Sequence, residues 1–494
     1  MVDVLTTYTL VEVPLPTPQE KKEGPLSEDA WRLIDYLSFK MDCAREQEAL
    51  RWKLDVERCQ TAYDEIIRLK AEKEEALADA MPRRILTAVR AKPKVMHKKD
   101  GSLSSHGERW TALCAENKMP ISASQITVVT GHERANPNSN DQVKDWLYSL
   151  GWKPRTWKFV RDKSTGSEKK IEQVRKDGEL CDSVKELATL DPAVDLLDGL
   201  TVLTHRSGIL KSFLECHTDG WLKAEIAGFT NTLRFRHMKP LVNLPGVDKP
   251  YGDVIRGVLT CPEGQTLCGA DMTSLEDTTK RHYMKPLDPD YVEEMSKEGF
   301  DPHLDLAKFA GAVTQEEIDD YNKGRRPDIK ALRKAYKVVN YSATYGVGAA
   351  KLARETGMSE REAKKLLDAF WKRNWSIEEV AKGLRTRELF NGMWLKNPLS
   401  GFWYSLRGEK DKFSTLNQGT GVFCFDTWVA LCRVNGVKSI GQFHDEVIAL
   451  VEQGKEDETK EVMYKAAELL NNKVNLNVPL GCDVQFGQTY ASIH

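Results

Sequence analysis

Arg333, Lys337, Tyr341 and Tyr345 recur every four residues in the stretch RKAYKVVNYSATYG, Arg333 to Gly346. On a helix of about 3.6 residues per turn they form one slowly drifting stripe, cationic at its start and aromatic at its end. Arginine and lysine supply charge-assisted donors to phosphate and tyrosine supplies a π-face for a base, so such a face could grip a nucleotide. An ordinary amphipathic helix with solvated cations and half-buried tyrosines presents the same pattern, and a lone stripe of this kind is more often that.

Two acids, Asp271 and Asp445, each follow an apolar run that reads as a buried strand. The run before Asp445, together with residues 447–451, reads as a hairpin with His444, Asp445 and Glu446 at its tip. An aspartate in such a place is costly unless it is paired or bound to metal. Two carboxylates at one sheet edge could hold two Mg2+ ions about 3.5–4 Å apart, the arrangement used for in-line phosphoryl transfer. Mg2+ suits it, being held through one or two carboxylates plus phosphate oxygens and water. Either aspartate alone is better read as a turn cap.

The elements around these residues are predicted as follows. The chain has 494 residues, 40% hydrophobic and 30% charged, at a mean hydropathy of −0.50. That describes a globular protein of roughly two to four domains, with no case for wholesale disorder. The net charge of −2 leaves any polyanionic partner to be argued from local clusters. The N-terminus lacks a cationic segment followed by an apolar one, and no apolar run is long enough to span a bilayer, so a soluble, cytoplasmic protein without a membrane partner is expected. None of the ten cysteines forms a CxxC pair, which predicts free, mostly buried thiols.

Residues from Ser27 to about Ala80 predict one or two long helices ending at Met81-Pro82. Two cationic segments follow, 82–99 and 152–176, which read either as solvated faces or as phosphate-backbone contacts. Between them Asn136-Pro137-Asn138-Ser139 predicts a turn into a short helix closed by Gly151. Residues 296–387 read as largely helical, with Asp328 capping the helix of the stripe and Gly346 ending it in the left-handed conformation. Residues 418–434 read as a further helix before the hairpin.

In this order the motifs resemble those of the family A DNA polymerases, the DNA polymerase I type and its phage relatives. DMTSLE (271–276) resembles motif A, RKAYKVVNYSATYG motif B, and HDE (444–446) motif C. Further matches are NPNS at 136–139, NLPG at 243–246, DPH at 301–303, NQGT at 417–420 and the closing GCDVQFGQTYASIH. The resemblance implies an α+β right-hand polymerase with an antiparallel-sheet palm, helical fingers and a helical thumb. Its parts would be a lead segment 1–24, a thumb with basic insertions 25–200, palm 201–290, fingers 291–395 and palm again 396–494. It implies template-directed addition of dNTPs to a primer 3′-OH on primer–template DNA, with two Mg2+ ions for which Mn2+ can substitute. Asp271, Asp445 and the Met272 backbone carbonyl would be metal ligands, with Glu446 beside them. Arg333, Lys337 and His303 would clamp the triphosphate, Lys337 also serving catalysis. Tyr341 would pack on the incoming sugar and base, and Glu276 would exclude a ribose 2′-hydroxyl. Tyr345, Arg234, Gln418 and His444 would contact DNA.

The chain begins where the family's polymerase domain begins, so no proofreading exonuclease is expected in it; a separate exonuclease or processivity protein would be a further partner. The motif spelling suggests a phage enzyme working in a bacterial host cytoplasm. A single-subunit RNA polymerase is disfavoured by Glu276, by the aromatic at 341 and by the acid at 446. A binding scaffold without catalysis is disfavoured by the presence of Asp271, Asp445, Arg333 and Lys337. Asp277-Thr278 departs from the family pattern, which usually has an apolar residue and an arginine there. Because position 341 is Tyr where many members have Phe, dideoxynucleotides are expected to be incorporated readily. Strong discrimination against them that is the same in Tyr341→Phe would overturn this.

Overall fold

The computed structural model describes residues 28–162, 164–176, 178–389 and 392–494. The expected lead segment 1–24 and the helix start at Ser27 lie outside the described residues. The chain is mixed α+β and divides into two compact units, one made of the residues through 62 with 209–494, the other of residues 63–208.

The first two helices are α1 (Glu28–Leu50) and α2 (Val56–Ala80), the second stopping just before Met81-Pro82 as expected. Within the 63–208 unit the first basic stretch becomes strand β1 (Arg84–Ala91), paired antiparallel with β2 (Gln125–Glu133). Ile126 and Val128 on one face of this ribbon pack against Trp110 and Cys114. The Ser139 hydroxyl caps α3 (Asn140–Ser149) by accepting from the Gln142 N–H, and Gly151 turns the chain out at φ 88°. The second basic stretch is the hairpin β3 (Trp157–Arg161) and β4 (Glu168–Glu172), where Lys170 Nζ sits 3.7 Å from the Trp157 ring centre. Both basic stretches are therefore largely exposed, as a solvated face or a phosphate contact requires.

The other unit is built on a four-stranded sheet. Its central strand β5 (Gln265–Met272) is followed by helices α4 (Leu275–Met284), α5 (Pro302–Phe309) and α6 (Ile329–Thr344). Then come a small sheet, β6 (Thr386–Leu389), β7 (Gly392–Lys396) and β8 (Trp403–Leu406), and the long helix α7 (Lys412–Val434). The chain closes with β9 (Ser439–Phe443), β10 (Glu446–Glu452), α8 (Glu456–Val474) and β11 (Cys482–Gly487). The large sheet runs β9-β10-β5-β11, antiparallel throughout. Residues 266–270 of β5 are all buried, which is why its apolar run reads continuously rather than alternating.

One core packs the sheet against α1, α7 and α8, with Trp428 Nε1 donating to the Met463 carbonyl at 3.0 Å. A second core surrounds α5 and α6. Ile329, Tyr336, Val339 and Ala343 of α6 face it, and the stripe is left on the opposite side, with Tyr341 54% exposed. Gly346 ends this helix region at φ +68°, and a Cβ there would stand 2.8 Å from the Lys410 carbonyl oxygen, so only glycine fits the turn and the close approach. Eight of the ten cysteines are buried and all are free.

Two expectations differ from the structure. Asp328 does not cap α6: it is already in helical conformation (φ −59°, ψ −31°), makes no cap hydrogen bond and accepts from the Arg326 guanidinium at 2.8–3.2 Å. A side chain leaving a helical backbone points away from the N–H groups a cap must reach, and the forked guanidinium two residues back offers charged donors instead. Second, the resemblance places α1 in the thumb, residues 25–200, yet it packs on the large sheet. Cys43 and Ala44 enter the sheet core, and Gln47 Nε2 donates to the Ala224 carbonyl at 2.6 Å.

One anchor of α1 is ionic. Lys40 Nζ lies 2.6 Å from Asp426 on α7, each 2% exposed, with the Tyr36 hydroxyl donating to the same carboxylate and the Phe235 ring centre 4.3 Å from the ammonium. Breaking a buried pair leaves one charge without compensation. Asp426→Ala is expected to lower the free energy of unfolding by about 3–5 kcal/mol, read by chemical denaturation; a loss under about 1 kcal/mol would show that the pair carries little.

Candidate active site

The ladders of β5 place its last acid among others. Asp271 stands opposite Glu446 on β10 and opposite Asp483 on β11, and the Met272 N–H donates to the Asp445 carbonyl at 3.0 Å. The turn carrying Asp445 is tight, with His444 at φ +64°. The Asp271 carboxyl opens to solvent at the strand end, yet desolvation by the surrounding walls, then the charges of Asp445, Glu446 and Asp483, push it up to about 7. Glu446 is held at both oxygens: the Tyr490 hydroxyl donates at 3.1 Å and His494 Nε2 lies 2.9 Å away. These acids border a cleft of about 900 Å3 that also reaches His237, Arg256 and His444.

Asp445 lies on the wall shared with a second cleft of about 330 Å3, which is lined by Glu276, His303, Tyr341, Tyr345 and Asn417 among others. Glu276 is the hub here. It accepts from the Tyr345 hydroxyl at 3.2 Å and pairs with Arg234 at 3.5 Å, while Gln418 Nε2 donates to the same tyrosine hydroxyl at 3.4 Å. Asn417 fixes the backbone beneath it, donating to the Glu276 carbonyl at 2.8 Å and accepting from Thr279 at 2.9 Å. Burial, with the Glu276 charge, raises the Tyr345 phenol above its ordinary value.

His303 and Arg333 are tied through Asp301. Its carboxylate caps α5, accepting from the His303 and Leu304 N–H groups at 2.8 and 3.0 Å, and it also holds the Arg333 guanidinium. Partial burial works to raise Asp301, but Arg333 and the two N–H donors bring it below the usual carboxylate range. Burial lowers His303, whose ring centre lies 5.8 Å from that of Tyr341. Lys337 Nζ lies 5.8 Å from the same tyrosine ring centre. Arg333 and Lys337 share the stripe but do not line the smaller cleft, where Lys280 supplies the lining cation.

Asp277, the departure in motif A, is answered locally: it pairs with Lys280 at 2.7 Å and Arg281 at 2.9 Å, and the buried Thr278 accepts from Arg281 at 3.2 Å. Sequence reasoning missed Asp483, Tyr490, Asn417, Asp301 and His237. Asp483 carried a signal, an acid in the alternating run Cys482–Gly487, but only the strand register brings it opposite Asp271.

A right-hand polymerase palm is the class that this sheet defines, antiparallel and carrying acids from β5 and the β9–β10 turn beside a helix with a cationic and aromatic stripe. Comparison with known proteins narrows it: residues 111–392, more than half the chain, match the model of DNA polymerase family A, and the chain belongs to that family. The match stops before the turn that carries Asp445. The thermostable DNA polymerase I of Thermus filiformis is 27% identical over 398 residues, 76% of this chain and 44% of that protein. DNA polymerase I of Aquifex aeolicus is 26% identical over 252 residues, 48% of this chain and 41% of the relative. The chain thus spans less than half the length of either. Among solved structures, the POL domain of Pol1 from M. smegmatis, in complex with DNA primer-template and dNTP, superposes with a TM-score of 0.61 over 92% of this chain and 70% of that one, at 18% identity. Among the described residues, no helix is long and apolar enough to cross a membrane.

His237 supplies a pH test. Among the described residues neither ring nitrogen has a hydrogen-bond partner, and burial, reinforced by His444, Arg234 and Lys40, lowers it from 6.5 to about 4. The folded chain keeps it neutral while the unfolded chain protonates it near 6.5, so its contribution is complete above pH 6.5 and is lost as pH falls toward 4. In His237→Phe the decline in stability between pH 6.5 and 4 should be shallower than in the parent, by thermal unfolding; parallel declines would contradict the assignment.

Proposed function

We propose that the chain is a template-directed DNA polymerase that adds dNTPs to a primer 3′-hydroxyl. The observation that carries this is the position of Asp445: it joins the acid cluster at the end of β5 to the cleft lined by Glu276, Tyr341 and Tyr345. An acceptor hydroxyl on one side and a nucleotide on the other would meet at that carboxylate. Asp271 and Asp445, with the Met272 carbonyl, would hold divalent cations. Desolvation, then the charges of Asp445, Glu446 and Asp483, raise Asp271, and a bound cation would relieve that repulsion. Among the described residues no group of three or more His, Cys, Asp or Glu is placed to hold a metal ion; Mg2+ takes few carboxylates and keeps its remaining positions for phosphate and water. When bound, Mg2+ supplies neutralisation of the charge developing on the phosphate and acidifies the attacking hydroxyl.

The remaining roles are those the family resemblance implies. Arg333, Lys337 and His303 would engage the triphosphate, Arg333 after exchanging Asp301 for phosphate. Tyr341 would pack on the sugar and base, and Glu276, fixed by Asn417 and Tyr345, would fill the space a 2′-hydroxyl needs. Arg234, Gln418, His444 and Tyr345 would contact the primer–template. The tyrosine at 341 and the motif spelling support a phage-like subtype acting in a bacterial cytoplasm.

Primer extension with dNTPs, but not rNTPs, is the expected result. Asp445→Ala should reduce extension roughly a thousandfold, as loss of several kcal/mol of charge stabilisation implies, with duplex binding retained. Extension persisting in Asp445→Ala, or rNTPs used as well as dNTPs, would overturn the reading.

A further inference from the structure

The sheet β6-β7-β8 has two unlike faces. Thr386, Leu395 and Tyr404 are aligned across the three strands, and this face is turned inward: Leu395 and Tyr404 are buried, and a Cβ on Gly419 of α7 would stand 2.7 Å from the Tyr404 ring. The register puts Arg387, Trp394 and Ser405 together on the other face, and Lys396 with Trp403. Arg385 adjoins them, its carbonyl accepting from the Lys396 N–H at 2.9 Å.

On this outer face three cations gather round one indole. The Arg387 guanidinium lies 4.1 Å from the Trp403 ring centre, that of Arg385 lies 5.7 Å away, and Lys396 Nζ 6.0 Å. Lys396 pairs with Asp29 at 3.3 Å, but among the described residues no carboxylate pairs with the exposed Arg385 or Arg387. Lys280 and Arg281, by contrast, are answered by Asp277. Two unanswered guanidinium planes interleaved with two tryptophans instead match a ligand that offers negative charge and flat aromatic rings in alternation.

We infer that this face is a binding platform for single-stranded nucleic acid, namely the unpaired template strand. Phosphates would lie on Arg385, Arg387 and Lys396, and bases would stack on the guanidinium planes and on Trp394 and Trp403. The inner face of the same sheet touches α7, whose Gln418 bonds Tyr345, so a strand held here is coupled through one rigid sheet to the site where the templating base is placed. This identification of the strand rests on the polymerase reading; the affinity for single strands does not.

The test compares fluorescence anisotropy of a blunt DNA duplex with that of the same duplex bearing a single-stranded 5′ overhang of about ten nucleotides. The overhang should raise wild-type affinity. Arg387→Glu and Trp403→Ala should each remove roughly tenfold of that gain while blunt-duplex affinity stays the same, and Trp403→Phe should retain most of it. If Trp403→Ala proves unstable by thermal unfolding, the exposed Arg387→Glu decides alone. No overhang effect in the wild type, equal losses on both duplexes, or competition by polyglutamate as effective as that by oligo-dT would overturn the inference. Wild-type primer extension measured alongside separates the two readings: an overhang effect without extension keeps the platform and removes the polymerase assignment, and extension without an overhang effect does the reverse.

Discussion

The structure turns on a clash of like charges that the backbone enforces. Antiparallel pairing on both sides of β5 fixes Asp271 opposite Glu446 and Asp483, and the tight turn at His444 adds Asp445 to the same corner. Register in a sheet buried on its faces cannot slip without inverting every side chain, so the acids cannot move apart. The core that holds the register is large: Trp428, Met463 and the apolar residues of β5 and β10 lie beneath the corner. The fold thus keeps Asp271, Asp445, Glu446 and Asp483 at one corner of the sheet despite their like charges.

Around this corner, neutralisation is selective. Glu446 is satisfied by Tyr490 and His494, Asp277 by Lys280 and Arg281, and Asp301 by Arg333 and two N–H groups. Asp271 is instead pushed upward, by desolvation and then by the charges of Asp445, Glu446 and Asp483. The acids therefore divide into those answered by neighbouring donors and Asp271, which is not. The division follows from geometry: the answered acids sit at helix starts or beside fixed donors, whereas Asp271 ends a strand whose neighbours are themselves acidic.

Much of this was legible in the sequence because it is local. The stripe on α6 follows from spacing alone, β5 and the β9–β10 hairpin from apolar runs, and the end of α6 from Gly346. Family resemblance then ordered these pieces and pointed to Glu276 and His303. What could not be read depends on distance along the chain. Asp483 is 212 residues from Asp271 and becomes its neighbour only through register, and Asn417 acquires its role by lying under the Glu276 carbonyl. Asp328 departs from its expected role because cap propensity ignores a competing arginine two residues away, and α1 because the order of motifs along the chain does not say which core a helix will join.

The contact between Tyr345 and Glu276 has an energetic corollary. A hydrogen bond of this type contributes about 1 kcal/mol net, and here it closes the smaller cleft upon itself, with Gln418 reinforcing the phenol from the other side. A ligand entering the cleft does not meet vacant donors. It must offer partners at least as good as those the two side chains already give each other, and a poorly shaped one leaves both unsatisfied in a partly desolvated site. The resting hydrogen bond therefore sets a fixed cost of about 1 kcal/mol on any entrant that separates the two side chains.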